Sequence, residues 1–140
     1  MNELSLLNVN TNEAYMSFNA TTQDEKIKLY NAINVPDYKL SDFINKTLIL
    51  RDVIIMGVEI NREVNPFDKN DLDNIDEKRK ANRVILIDME GKSYVATSDG
   101  ISNAVRTLMN VFGTLHFEDG LSITVKQVNV KRGSLLTLSL

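Results

Sequence analysis

Cysteine and tryptophan are absent, and histidine occurs once, at His116. Without cysteine there is no disulfide frame and no thiolate metal site. That suits a reducing cytoplasm. A single histidine cannot build a metal site without clustered acids beside it, so His116 reads as a loop or surface residue. Long apolar runs are missing too. The first residues, Met1-Asn-Glu-Leu-Ser-Leu-Leu, carry no positive n-region, so neither a signal peptide nor a membrane span is expected. There is no basic surplus: the net charge is −3 and the pI is near 5.2. A basic total would favour nucleic acid. An acidic total does not exclude it, because a groove that tracks a backbone needs only local charge.

Catalytic signatures are equally scarce. No G-x-S-x-G elbow, Walker loop or G-x-G-x-x-G occurs. The run Asp68-Lys-Asn-Asp-Leu-Asp-Asn-Ile begins like a calcium loop, then fails. Leu72 stands where an acid or Asn belongs, Asp73 where Gly belongs, and Arg79 where the bidentate Glu belongs. It reads as a solvated acidic loop. Neither a metal nor another cofactor is expected.

What is present is enough apolar material, 43% of 140 residues, for one packed domain. Residues 1–26 are rich in Asn, Thr and Ser and read as a flexible arm or a late-docking strand. Residues 27–45 read as an edge strand, Lys26 to Ile33, followed by a turn at Val35-Pro36-Asp37 and one helical turn at Ser41. From residue 46 the pattern is β-β-β-α-β-β. Thr47 to Ile60 is a long strand with Leu48, Leu50, Ile54, Met56, Val58 and Ile60 on its core face, and Gly57 suggests a bend. A polar loop over 61–80 leads to strand Arg83 to Met89, turn Glu90-Gly91 and strand Lys92 to Thr97.

Ile101, Ala104, Val105, Leu108, Met109 and Phe112 form one apolar helical stripe between a cap at Ser98 or Asp99 and Gly113. Ser122 to Val130 switches apolar parity, which predicts a bulge near Lys126-Gln127, and Leu135 to Leu140 ends the chain. This is the order of an OB-fold, a five-stranded barrel with one helix between its third and fourth strands. Such barrels mostly hold single-stranded nucleic acid or oligosaccharide.

That architecture singles out aromatic and basic residues. Tyr94 has a small partner, Ala96, on its face, which leaves room for a base over its ring. The competing reading packs Tyr94 in the core. Phe67, in a charged loop, either tucks back or meets a ligand, and Tyr30 sits on the proposed edge strand. Arg51 lies on the outer face of the first long strand. Arg79, Lys80 and Arg83 line the exit of the long loop, and Lys126, Lys131 and Arg132 line the last hairpin. In an OB-fold these two loops flank the binding face.

Four stretches together carry a resemblance. They are Ile27-Lys-Leu-Tyr-Asn-Ala32, the hairpin Gly91-Lys-Ser-Tyr-Val-Ala-Thr-Ser98, the helix after it, and Val125-Lys-Gln-Val to Lys131-Arg-Gly-Ser-Leu-Leu-Thr-Leu138. In order and spacing the chain resembles the single-stranded DNA-binding proteins of small phages that replicate by protein priming. The resemblance implies an OB-like barrel that coats displaced strands in the host cytoplasm, without enzymatic activity. It also implies base stacking by Tyr94. The family uses aromatics in the long loop, where this chain offers Phe67 and no tyrosine.

Two other readings stay open. One is a protein-interaction module without nucleic-acid function, which docks edge-to-edge. The other is a hydrolase built on Asp71, Asp88 or Asp99. The sequence also leaves open whether copies assemble and whether replication proteins bind.

Overall fold

The computed structural model describes residues 5–9, 12–61, 67, 78–131 and 133–140. The described residues are mainly β. The strands are β1 (Ser5–Val9), β2 (Asn12–Met16), β3 (Tyr38–Lys39), β4 (Thr47–Asn61), β5 (Lys78–Asp88), β6 (Ser93–Ala96), β7 (Leu121–Val130) and β8 (Gly133–Ser139). The helices are α1 (Gln23–Asn34) and α2 (Asp99–Phe112), with a 3-10 turn at Leu40–Phe43. One mixed sheet runs β1-β2-β4-β5-β6-β3, and β7 branches from β4 to carry β8. It curls into a half-barrel.

β4 organises this sheet. Its first residues, Thr47 to Leu50, pair with β7, its residues Ile54 to Met56 pair with β2, and β5 runs along its other edge. The register slips between Leu50 and Asp52, so Arg51 sits in a bulge. A bulge moves every later side chain to the opposite face. Leu48 and Leu50 therefore share the inner core with Val53 and Ile55, while Ile54 and Met56 face outward. The simple even-face expectation is corrected on this point. The bend lies at Arg51, and Gly57 pairs regularly with Asn82.

Each face has its own helix. Inside, Ile101, Val105 and Leu108 of α2 pack with Leu40, Leu50, Val84, Leu86 and Ile123. Each such fully buried aliphatic contributes about 1.5–3 kcal/mol. Ser98 caps α2 by accepting from the Ile101 N–H at 3.2 Å, and Gly113 ends it at φ 73°, a left-handed value that suits glycine. The helix begins very close to β8. A Cβ at Gly100 would land on the Leu136 backbone carbonyl. Outside, Leu29, Ala32 and Ile33 of α1 cover Ile54, Met56 and Ile85.

The edge strand expected over Lys26 to Ile33 is thus a helix. The deciding signal is Thr22-Gln-Asp-Glu25, a capping box. The Thr22 hydroxyl accepts from the Glu25 N–H at 3.1 Å, and the Glu25 carboxylate accepts from the Thr22 N–H at 3.0 Å. Spacing at Leu29, Ala32 and Ile33 then fits helical period better than alternation. Within residues 1–26, β2 docks on β4, and β1 pairs with β2. β5 starts at Lys78, so the stretch between β4 and β5 is shorter than 61–80. The bulge expected at Lys126-Gln127 is absent. β7 and β8 stay in register from Thr124 to Val130, and Val128 and Val130 are exposed at the far end of the hairpin.

Candidate nucleic-acid interface

Tyr94 does not offer its ring to solvent. It is 6% exposed and belongs to the inner core. Its hydroxyl donates to Asp88 Oδ2 at 2.8 Å. Asp88 in turn accepts from the Glu90 and Lys92 N–H groups through Oδ1, both at 2.9 Å, so one carboxylate pins both the β5–β6 turn and the ring. Burial, and then the bond to Asp88, push the Tyr94 phenol well above its ordinary range. The expectation of base stacking on Tyr94 is corrected, because its face is already taken.

The ring that takes it is Tyr38. β3 runs parallel to β6 and sets Tyr38 beside Tyr94, centroids 5.2 Å apart at 29°. Phe43 meets both edge-on, at 5.1 Å from each. Tyr38 is 41% exposed, so buried Tyr94 and half-buried Phe43 hold one ring at the surface. Sequence reasoning missed Tyr38 and Phe43. Tyr-Lys directly after Pro36-Asp37, with Phe five residues on, was the local signal. Their pairing to β6 is non-local.

Phe67 is 94% exposed. Tyr30 is 64% exposed on α1, where its hydroxyl accepts from Asn34 Nδ2 at 3.4 Å. It lies on a helix and not on a sheet edge, which corrects its expected place.

The basic residues divide among separate surfaces. Arg83 donates through Nη2 to the Ile33 carbonyl at 3.2 Å, and its Nε is buried without a partner. It lines a cleft of about 520 Å³ with Lys39, Ser41, Thr97 and Ser98, a cluster that the sequence did not suggest. Arg51, in its bulge, is half exposed, with Nε 3.8 Å from Asp52 Oδ2. It lines another cleft, with Phe18, Lys28 and His116. Lys126 and Lys131 are exposed on the β7–β8 hairpin, with Lys126 opposite Thr137. Arg79 and Lys80 stand on β5 opposite Ile60 and Glu59, and not in a loop. Their side chains and Arg132 lie outside the described residues, as do Asp71 and the rest of the acidic run.

His116 has a structural partner. Its Nδ1 lies 2.6 Å from Oδ1 of buried Asp52, and the Ser17 hydroxyl donates to the same oxygen at 2.8 Å. Ser17 also accepts from the Val53 N–H at 2.9 Å. Serine and histidine both turn to one carboxylate, so these bonds tie β2, β4 and the segment after α2 together without pairing a nucleophile to a base. Beside them, the Tyr15 hydroxyl is buried without a partner, and burial raises its pKa, with Asp52 adding to the effect. Among the described residues no group of His, Asp and Glu could hold a metal ion, and no helix is long and apolar enough to cross a membrane.

A family model described as Phage Single-stranded DNA-binding protein matches residues 8–140. Neither the curated proteins nor the solved structures yield a match. The match takes in the β4 to β8 frame, both helices, the aromatic cluster and the cationic cleft. The chain therefore belongs to the phage single-stranded DNA-binding protein family and serves in phage DNA replication.

Proposed function

We propose that the protein coats and shields single strands without sequence preference, in the cytoplasm of the phage's host, through an OB-type barrel of β4 to β8. The observation that carries this reading is Tyr38. It is an exposed ring backed by Tyr94 and Phe43, next in sequence to Lys39 of the cationic cleft. Flat rings accept any unpaired base, whereas duplex bases hide their faces. Phe67 and Tyr30 supply further exposed rings. Arg51, Arg79, Lys80, Arg83, Lys126, Lys131 and Arg132 supply charge for phosphates. Tyr94 acts at one remove, as the support beneath Tyr38.

Titration of oligo-dT against a matched duplex at two salt concentrations tests this. Preference for the single strand, with affinity falling steeply as salt rises, is expected from counterion release. Equal affinity for both, or indifference to salt, overturns it.

A second reading concerns protein docking, to another copy or to a replication protein. It is supported by a groove between α2 and β8 lined by Leu108, Val111, Phe112, Leu138 and Leu140. Val111, Phe112 and Leu140 are exposed there. Val111→Asp should then abolish self-association or co-purification while leaving oligo-dT affinity unchanged. Unaltered assembly by ultracentrifugation counts against it.

A further inference from the structure

The half-barrel has a gap. β6 pairs with β5 on one edge, while β3 covers only Tyr94 and Val95 on the other. Among the described residues β8 pairs only with β7. Across this gap α2 bridges the two sides: Gly100 rests on the Leu136 carbonyl, and Ser102 accepts from Asn82 Nδ2 of β5 at 3.0 Å. The cleft of about 520 Å³ lies here, between Val95 and Ala96 on one side and Leu136 on the other.

We infer that this gap is a built site for the phosphate group of a nucleotide, with Lys39 and Arg83 as its cations. Three observations support the assignment. The polar lining is Lys39, Ser41, Arg83, Thr97 and Ser98, with no carboxylate among the described lining residues. Among the described residues neither cation has a carboxylate partner: the Lys39 side chain makes no bond there, and the Arg83 guanidinium donates to the Ile33 carbonyl. A guanidinium offers five N–H donors, and here its Nε is also buried and unpaired. Arg83 is partly buried and Lys39 exposed; a partly buried cation such as Arg83 without a counter-ion is costly, and a bound anion offsets that cost. The hydroxyls fit as well. Ser98 accepts from the Ile101 N–H, which leaves its own O–H free to donate, and Ser41 and Thr97 can donate likewise.

The volume exceeds what a bare phosphate needs and lies within the range of about 300–1,000 Å³ usual for small ligands. Val95, Ala96 and Leu136 give an apolar wall for the attached sugar. The same chemistry occurs as an internal phosphodiester and as a free strand end bearing a phosphate monoester. As a place for part of a strand, the inference rests on the single-strand reading above.

The test uses Lys39→Gln, because the Lys39 side chain makes no bond to a described residue, with Lys26→Gln, exposed on α1, as control. Binding of oligo-dT with and without a 5′-phosphate is measured across salt concentrations. One phosphate contact on a single strand accounts for about 0.7 in the slope of log affinity against log salt. If the site holds an internal phosphodiester, Lys39→Gln lowers the slope by about that amount on both probes. If it holds an end, the change appears only on the phosphorylated probe. Tyr38→Ala should weaken binding without altering the slope. No change on either probe, or an equal change for Lys26→Gln, overturns the site. Inorganic phosphate, followed by the amide shifts of Lys39 and Ser98, provides a DNA-free arm. A wild-type chain that ignores oligo-dT sinks the single-strand reading. The site then stands if phosphate moves those amides and falls if it does not.

Discussion

Replacing Tyr38 and Tyr94 one at a time separates a ring that meets DNA from the ring that holds it. Tyr38 is partly exposed, and stacking of one base on such a ring is worth about 1–3 kcal/mol. Tyr38→Ala should therefore weaken oligo-dT binding roughly 5- to 150-fold. Its cost to folding should stay near the value of lost aromatic pairs, about 0.5–1.5 kcal/mol each, for the contacts to Tyr94 and Phe43. Tyr94→Ala empties a core position and should destabilise by about 3–5 kcal/mol, a large share of the roughly 5–15 kcal/mol typical of a domain. Tyr94→Phe keeps the ring and loses only the bond to Asp88. A bond to a charged acceptor is worth about 1.5–3 kcal/mol, and here the low end applies because Asp88 keeps its two turn N–H donors. DNA affinity should then be unchanged. The chain has four tyrosines and no tryptophan, so intrinsic fluorescence reports tyrosine alone and its quenching follows the titration directly. Urea melts give the stability. If Tyr38→Ala binds as wild type while a folded Tyr94→Phe loses affinity, the assignment is reversed and the reasoning fails.

Gly100→Ala should destabilise by about 1–3 kcal/mol or more in urea melts, because the new methyl meets the Leu136 backbone and no rotamer relieves it; unchanged stability would show that α2 does not rest there. Asp52→Ala strands Ser17 and His116 and should cost about 1–3 kcal/mol, with faster amide exchange at Val53; unaltered exchange contradicts the tie between β2 and β4. The raised phenol pKa of Tyr94 implies a loss of stability at alkaline pH. The contribution is fully present below the unfolded value of about 10 and is lost as pH rises above it, because the unfolded chain ionises first. Thermal melts from pH 9 to 11 should show a steeper fall for wild type than for Tyr94→Phe, and parallel curves would refute this. Thr22→Ala removes the cap of α1 and should cost about 1 kcal/mol, read by denaturation.

Much of the β4 to β8 frame is legible in sequence because its signals are local. The α2 stripe lies between Ser98 and Gly113, and Glu90-Gly91 marks the hairpin turn. The errors have physical causes. Residues 27–33 alternate well enough to mimic a strand, and the deciding cap sits before them at Thr22. The facing of β4 depends on a bulge at Arg51, and one inserted residue reverses every side chain beyond it. The aromatic site was half legible. Tyr94 stands out in the hairpin, but its burial comes from β3, a two-residue strand fifty-six positions earlier that pairs in parallel. Nothing local in a chain announces such a partner. The Lys39 and Arg83 pairing is hidden for the same reason.

The seam between β6 and β8 bears on how a strand is loaded. A closed ring admits a strand only through a free terminus. On the site inferred above, a seam bordered by side chains and, among the described residues, spanned only by the tip of α2 lets a strand be laid in from the side, and later lifted out, without breaking a single rung of the sheet.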